Sequence, residues 1–114
     1  MAWAVVVLEN VVAWYQDMSE AEKDDFEVAV DLLEQHGPIL QYPWSSQIRG
    51  SKLRTMRELR YQHGGDPYRV LYVFDPERQA VLLLGGNKGG NARWYIQNIP
   101  KAERLYQQYL GEKE

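Results

Sequence analysis

The chain has 114 residues, of which 45% are hydrophobic and 25% charged, and it contains no cysteine. That length closes one core, so a single domain spanning residues 1–114 is expected. No apolar run approaches the roughly 18–20 residues of a membrane span, and no signal peptide is expected. Without cysteine there is no disulfide or thiolate zinc site, and with only His36 and His63 no histidine-rich metal site is expected. Composition therefore points to a cytoplasmic domain with no metal and no cofactor.

The formal net charge of −3 conceals an asymmetry. Residues 1–48 carry nine acids and one base, Lys23, while residues 49–114 carry twelve bases and seven acids. Such a split either neutralises itself across the fold or presents a local positive patch to a polyanion.

The β-branched run around Val5-Val6-Val7 predicts a first strand over residues 2–9. Asn10 is placed to cap a short helix carrying Val11, Trp14, Tyr15 and Met18. Ser19-Glu20-Ala21-Glu22 fits a capping box that opens a second helix. Phe26, Ala29, Val30 and Leu33 form its apolar stripe, widened by Val28 and Leu32, and Gly37-Pro38 ends it. Residues 37–52 read as a loop. Residues 53–62 alternate, with Arg57, Leu59 and Tyr61 on one face and Met56, Glu58 and Arg60 on the other. After a turn at residues 63–67, residues 68–74 place Tyr68, Val70, Tyr72 and Phe74 opposite Arg69, Leu71 and Val73. Residues 79–84 read as an inner strand, and the short turns imply an antiparallel meander. The glycine-rich stretch of residues 85–91 is expected to break the sheet. A short helix through Trp94 and Tyr95 precedes a last helix entering at Pro100 and ending at Gly111. The order β-α-α-β-β-β-α predicts an α+β fold. Two N-terminal helices would pack on one face of a small, mainly antiparallel sheet, with a C-terminal helix.

Two arginines inside neighbouring strands stand out. A hairpin closing at Gly64-Gly65 puts Arg60 nearly opposite Arg69, and like charges so placed repel unless an anion lies between them. Glu58 is one candidate anion and a phosphate is the other, because the guanidinium fork matches phosphate oxygens. Lys52, Arg54 and Arg57 precede or open the same strand, and Lys88 follows the last one. The run Gly85-Gly86-Asn87-Lys88-Gly89-Gly90 lacks the spacing and hydroxyl of a phosphate-binding P-loop. None of the serines is paired in sequence with a histidine as a nucleophile would require. His36 at a helix end has a ready structural role, while His63, in a turn beside the arginines, reads either as an acid/base or as a solvated turn residue. RNA cleavage by the 2′-hydroxyl needs a base, an acid and cations at the charged transition state. Arg60 and Arg69 suit the last role. Lys52, Lys88 and Tyr95 are candidates for proton transfer, residue types whose ordinary pKa is about 10.

Three segments together resemble the RelE/ParE toxin superfamily, and more narrowly its HigB-like, phage-derived branch. They are Arg57-Glu58-Leu59-Arg60, then Tyr68-Arg69-Val70-Leu71-Tyr72, then Leu82-Leu83-Leu84-Gly85-Gly86-Asn87-Lys88. The tail from Arg93-Trp94-Tyr95 through Tyr106 is similar to one subgroup of that branch. The resemblance implies the toxin of a type II toxin–antitoxin pair, inhibiting translation by ribosome-dependent, metal-independent mRNA cleavage. It implies a cognate helix-turn-helix antitoxin, a possible hetero-oligomer with it, and no membrane partner. Carried over by position, Arg60, Arg69 and Lys88 are the expected phosphate and transition-state contacts. Tyr95 is added to them as an expected catalytic residue, and Lys52, Arg54 and Arg57 are expected to contact RNA. The acidic isoelectric point, 5.4, leaves open a ParE-like poison of a protein target such as DNA gyrase. A non-toxic module that binds an antitoxin is the other alternative.

Overall fold

The structure, a computed structural model, describes residues 2–113. Its strands are β1 (Val5–Val7), β2 (Ser45–Gln47), β3 (Arg57–His63), β4 (Asp66–Phe74) and β5 (Ala80–Asn87). Its helices are α1 (Glu9–Gln16), α2 (Glu20–His36) and α3 (Trp94–Glu112). The strands form one mixed sheet in the order β1-β5-β4-β3-β2. β3, β4 and β5 make the expected antiparallel meander, while β1 joins β5 in parallel. The fold is α+β, as the element order predicts.

Alternation along the strands creates two apolar faces. Leu59, Tyr61, Val70, Tyr72 and Leu82 pack beneath α1 and α2 against Val11, Phe26, Ala29 and Leu33. Leu71, Val73, Val81 and Leu83 pack against Trp94, Ile99, Ala102 and Tyr106 of α3. The sheet is therefore covered on both sides, which explains the nearly unbroken apolar run at its centre.

The capping box at the start of α2 is present: the Glu22 N–H donates to Ser19 Oγ at 3.2 Å and the Ser19 N–H donates to Glu22 Oε1 at 3.1 Å. Ser19→Ala should lower stability by about 1 kcal/mol at neutral pH, read as a shift in urea midpoint. The Ser19 backbone and hydroxyl hold the Glu22 carboxyl below its ordinary value. That contribution is complete above the ordinary carboxylate range and is lost as pH falls through the lowered value.

Several local readings change. Asn10 is not the cap of α1: Leu8 occupies that position, and Asn10 Nδ2 donates to the Leu83 carbonyl at 2.9 Å, tying helix to sheet. The expected loop of residues 37–52 contains β2, whose Ser45, Ser46 and Gln47 pair with Leu59, Glu58 and Arg57. β3 starts at Arg57, because the Met56 N–H turns back to the Leu53 carbonyl. The last helix starts at Trp94 rather than Pro100, runs through that proline and continues past Gly111 to Glu112. Ile96, whose carbonyl loses its helical partner at Pro100, is exposed, so water can supply the missing donor.

The glycines do not break the sheet. β5 continues through them, with Gly85 opposite Val70 and Gly86 opposite Arg69. A Cβ at Gly85 would lie 2.2 Å from the Trp14 ring, and one at Gly86 would lie 2.9 Å from Trp94 Nε1. The two glycines thus admit an indole against each face of the sheet, a close approach that no side chain allows. Gly85→Ala should destabilise by about 1–3 kcal/mol through overpacking, measured by denaturant titration.

Candidate functional site

β3 and β4 pair in the register that sets Arg60 directly opposite Arg69. Both side chains leave the sheet on the α3 side, as does Glu58 two residues before Arg60. The anion between the two guanidinium groups is Glu58. Its Oε2 accepts from Arg60 Nη1 at 3.0 Å, and its Oε1 lies 3.3 Å from Arg69 Nε. Ser46 of β2 donates to Oε2 at 2.6 Å, and Tyr95 in the first turn of α3 donates to Oε1 at 2.5 Å. β2, β3, β4 and α3 therefore converge on one carboxylate.

The cluster is graded in depth. Glu58 is 5% exposed and Arg69 is 6% exposed, whereas the Arg60 side chain retains 24% of its surface. Arg69 Nη1 is further held by the Tyr68 carbonyl at 2.9 Å, while Nε pairs with Glu58 without an aligned hydrogen bond. Two guanidinium groups against one carboxylate leave a surplus positive charge, and Arg60 presents it to solvent. Arg60 also lies 5.0 Å from the centre of the Tyr42 ring. A cleft of about 320 Å³ opens there, lined by Tyr42, Pro43, Trp44, Arg60 and Arg69 among others.

Burial, and then the hydrogen bond to Glu58, raise the Tyr95 phenol above its ordinary value; nearby Arg69 opposes them. Tyr95 therefore keeps its proton at neutral pH, on a short bond to a carboxylate. The Lys88 Nζ lies 5.5 Å from the centre of the Tyr95 ring. The loop carrying Lys88 is pinned: the Lys88 N–H donates to the Pro67 carbonyl at 2.9 Å, and Asn87 bonds both Asp66 and the Gly89 N–H.

The structure thus brings together Arg60, Arg69, Tyr95 and Lys88. Lys52 lies farther along α3, in a groove of about 390 Å³ shared with Tyr95, Ile96 and Glu103, and its N–H donates to Glu103 Oε2 at 2.6 Å. Arg54 is exposed in the turn before β3. Arg57 is not part of the cluster. It leaves the opposite face, where Nε donates to Ser45 Oγ at 3.0 Å and Nη2 to the Leu40 carbonyl at 3.3 Å, bracing the segment before β2. Period-two alternation already separated Arg57 from Arg60. His63 also leaves on the face covered by α1 and α2, with Nδ1 2.7 Å from Asp25 Oδ2. Tyr42, Trp44 and Ser46 escaped the sequence reading because they stand in an aperiodic stretch; the Tyr-Pro-Trp run shortly before an arginine-rich strand was their one visible mark.

Residues 13–107 match the model of the family described as phage derived protein Gp49-like. The chain is 40% identical over 111 residues, covering 96% of each chain, to the Mycobacterium tuberculosis protein named "Putative toxin HigB3". It is 34% identical over 116 residues to "Putative toxin HigB2" of the same organism, a longer chain of which the match covers 57%. Its fold is similar to that of a mutant of the E. coli toxin RelE in the free state. The TM-score is 0.62 at 12% identity, and the match covers 87% of this chain and 99% of that one.

Proposed function

Because the chain belongs to the Gp49-like family of phage-derived proteins, with HigB-type relatives and a RelE-like fold, we propose that it is the toxin of a type II toxin–antitoxin pair, acting in the cytoplasm as a ribosome-dependent endoribonuclease on mRNA. The observation that carries this reading is the pairing of Arg60 with Arg69 on one face of the sheet, beside an open cleft.

In this reading the nucleophile is the 2′-hydroxyl of the RNA itself, so the protein supplies proton transfer and charge. Tyr95 and Glu58 act as one base: the hydroxyl proton passes to the Tyr95 oxygen as the Tyr95 proton moves along its short bond to Glu58. The relay solves the problem posed by a phenol that holds its proton tightly. The 2′-oxygen bonds to phosphorus, the bond from phosphorus to the 5′-oxygen breaks, and the Lys88 ammonium protonates the departing oxygen. Arg60 and Arg69 stabilise the extra negative charge on the phosphoryl oxygens. The products are a 2′,3′-cyclic phosphate and a 5′-hydroxyl end. Lys52 and Arg54 hold flanking RNA. The partner is the cognate antitoxin, expected to carry a helix-turn-helix.

Induction of the gene alone, followed by mapping of mRNA 5′ ends, tests this. Growth arrest with new 5′-hydroxyl ends, reversed by the antitoxin, is expected. Arrest with DNA-damage signalling and no new ends would move the reading to a gyrase poison, and normal growth would move it to a regulatory module.

A further inference from the structure

The cleft beside Arg60 is walled by aromatic side chains that the fold leaves in water. Tyr42 is 73% exposed and Trp44 is 45% exposed, whereas Tyr61, Tyr68, Tyr72, Trp94 and Tyr106 are all buried. Large aromatic surfaces left in solvent forgo a substantial burial gain, so an exposed pair beside two arginines points to a ligand with flat, stackable faces.

We propose that Tyr42 and Trp44 form a stacking shelf for the bases of single-stranded RNA, next to the phosphate held by Arg60 and Arg69. This rests on the ribonuclease reading and adds to it the grip on the nucleotides beside the cleavage site.

Three observations select that occupant. First, the shelf and the cations are interleaved: the Arg60 guanidinium lies 5.0 Å from the Tyr42 ring centre, and both arginines line the cleft with Tyr42 and Trp44. Alternating π-faces and positive charges match a chain of alternating bases and phosphates. Second, no carboxylate among the described residues lines this cleft. The apolar groove between α1 and α2 is different, being rimmed by Glu27, Asp31 and Glu34, which repel phosphate. Third, the shelf is fastened by its backbone. The Arg60 N–H donates to the Trp44 carbonyl at 2.8 Å, so the aromatic side chains are free to serve a ligand. Stacking does not read base edges, and tolerance of base identity is expected, with purines held more tightly than pyrimidines.

A short RNA with every 2′-oxygen methylated tests the shelf, because it binds without being cut. Tyr42→Ala and Trp44→Ala should each weaken its binding to the purified protein by about tenfold or more, while circular dichroism and melting stay as in wild type. Trp44→Phe should restore most of the affinity. Removing one base to leave an abasic sugar should cost the wild type a similar factor and cost the Tyr42→Ala/Trp44→Ala double variant nothing further. Affinity unchanged in both single variants overturns the shelf, as does a wild type that fails to bind this RNA. A protein that still cuts mRNA in cells under either outcome leaves the ribonuclease reading standing. Variants that bind RNA normally but lose the antitoxin would make this surface a protein interface and also overturn the proposal.

Discussion

Glu58→Leu should be the most damaging single substitution in the site, lowering stability by about 3–5 kcal/mol. The reason lies in the depth of its partners. Arg69 is almost wholly buried, and Glu58 is the carboxylate beside it. Removing that anion leaves an uncompensated guanidinium in the interior, with Arg60 directly opposite adding repulsion. The hydroxyls of Ser46 and Tyr95 lose their shared acceptor in the same step. Against the roughly 5–15 kcal/mol that holds a typical domain together, this is enough to leave much of the protein unfolded at 37 °C. Glu58→Gln keeps the shape and an oxygen acceptor but not the charge, and should lose less stability while removing the proton acceptor of the proposed relay. Urea midpoints at unchanged slope read the stability of each variant. A Glu58→Leu protein as stable as wild type would show that this carboxylate is not what holds the arginines in place.

Arg60→Ala should behave in the opposite way, leaving the fold intact and lowering single-turnover cleavage of mRNA on programmed ribosomes by about 10²–10³-fold, the usual cost of a missing transition-state donor. Arg60 keeps a quarter of its side-chain surface in solvent and shares Glu58 with Arg69, so its loss leaves no unpaired buried charge. A stability change within about 1 kcal/mol follows. Arg60→Lys should recover only part of the rate, since an ammonium cannot bridge two phosphoryl oxygens in the planar fork of a guanidinium. Arg69→Ala is a poorer probe of chemistry, because it opens a buried pair and changes stability and activity together. The two arginines look equivalent in sequence, and their different burial makes Arg60 the cleaner probe, because Arg69 anchors Glu58 as well as lining the cleft. Wild-type cleavage rates from a well-folded Arg60→Ala protein would remove this residue from the chemistry.

Much of the frame was legible because it is written in local pattern. Alternation over β3 and β4 assigned the two faces, and the Gly64-Gly65 turn fixed the register that opposes Arg60 to Arg69. The capping box placed the start of α2 through two short-range hydrogen bonds. What escaped depends on distant partners. β2 is three residues of no apolar periodicity, and it becomes a strand only by pairing with β3. Gly85 and Gly86 read as a break until Trp14 and Trp94 are seen pressing on the sheet at those positions. Pro100 reads as a helix start, yet the apolar stripe of α3 continues back to Trp94 and Ile99, and packing of that stripe outweighs one lost hydrogen bond. The convergence on Glu58 was half visible: its two arginines lie in adjoining strand signals, but Ser46 and Tyr95 arrive from 12 and 37 residues away. Arg57 leaves the sheet on the face opposite Arg60, a separation that alternation along β3 carries and a count of charge along the chain does not.

The central claim is that the Arg60–Arg69 pair grips the phosphate backbone of RNA, and the salt dependence of binding tests it most directly. Affinity for the fully 2′-O-methylated RNA should fall linearly with salt on logarithmic axes. Arg60→Ala should make that slope shallower by about 0.7, the release of one counterion from a single strand. A slope identical to wild type would mean that Arg60 touches no phosphate, and the proposed grip would be wrong.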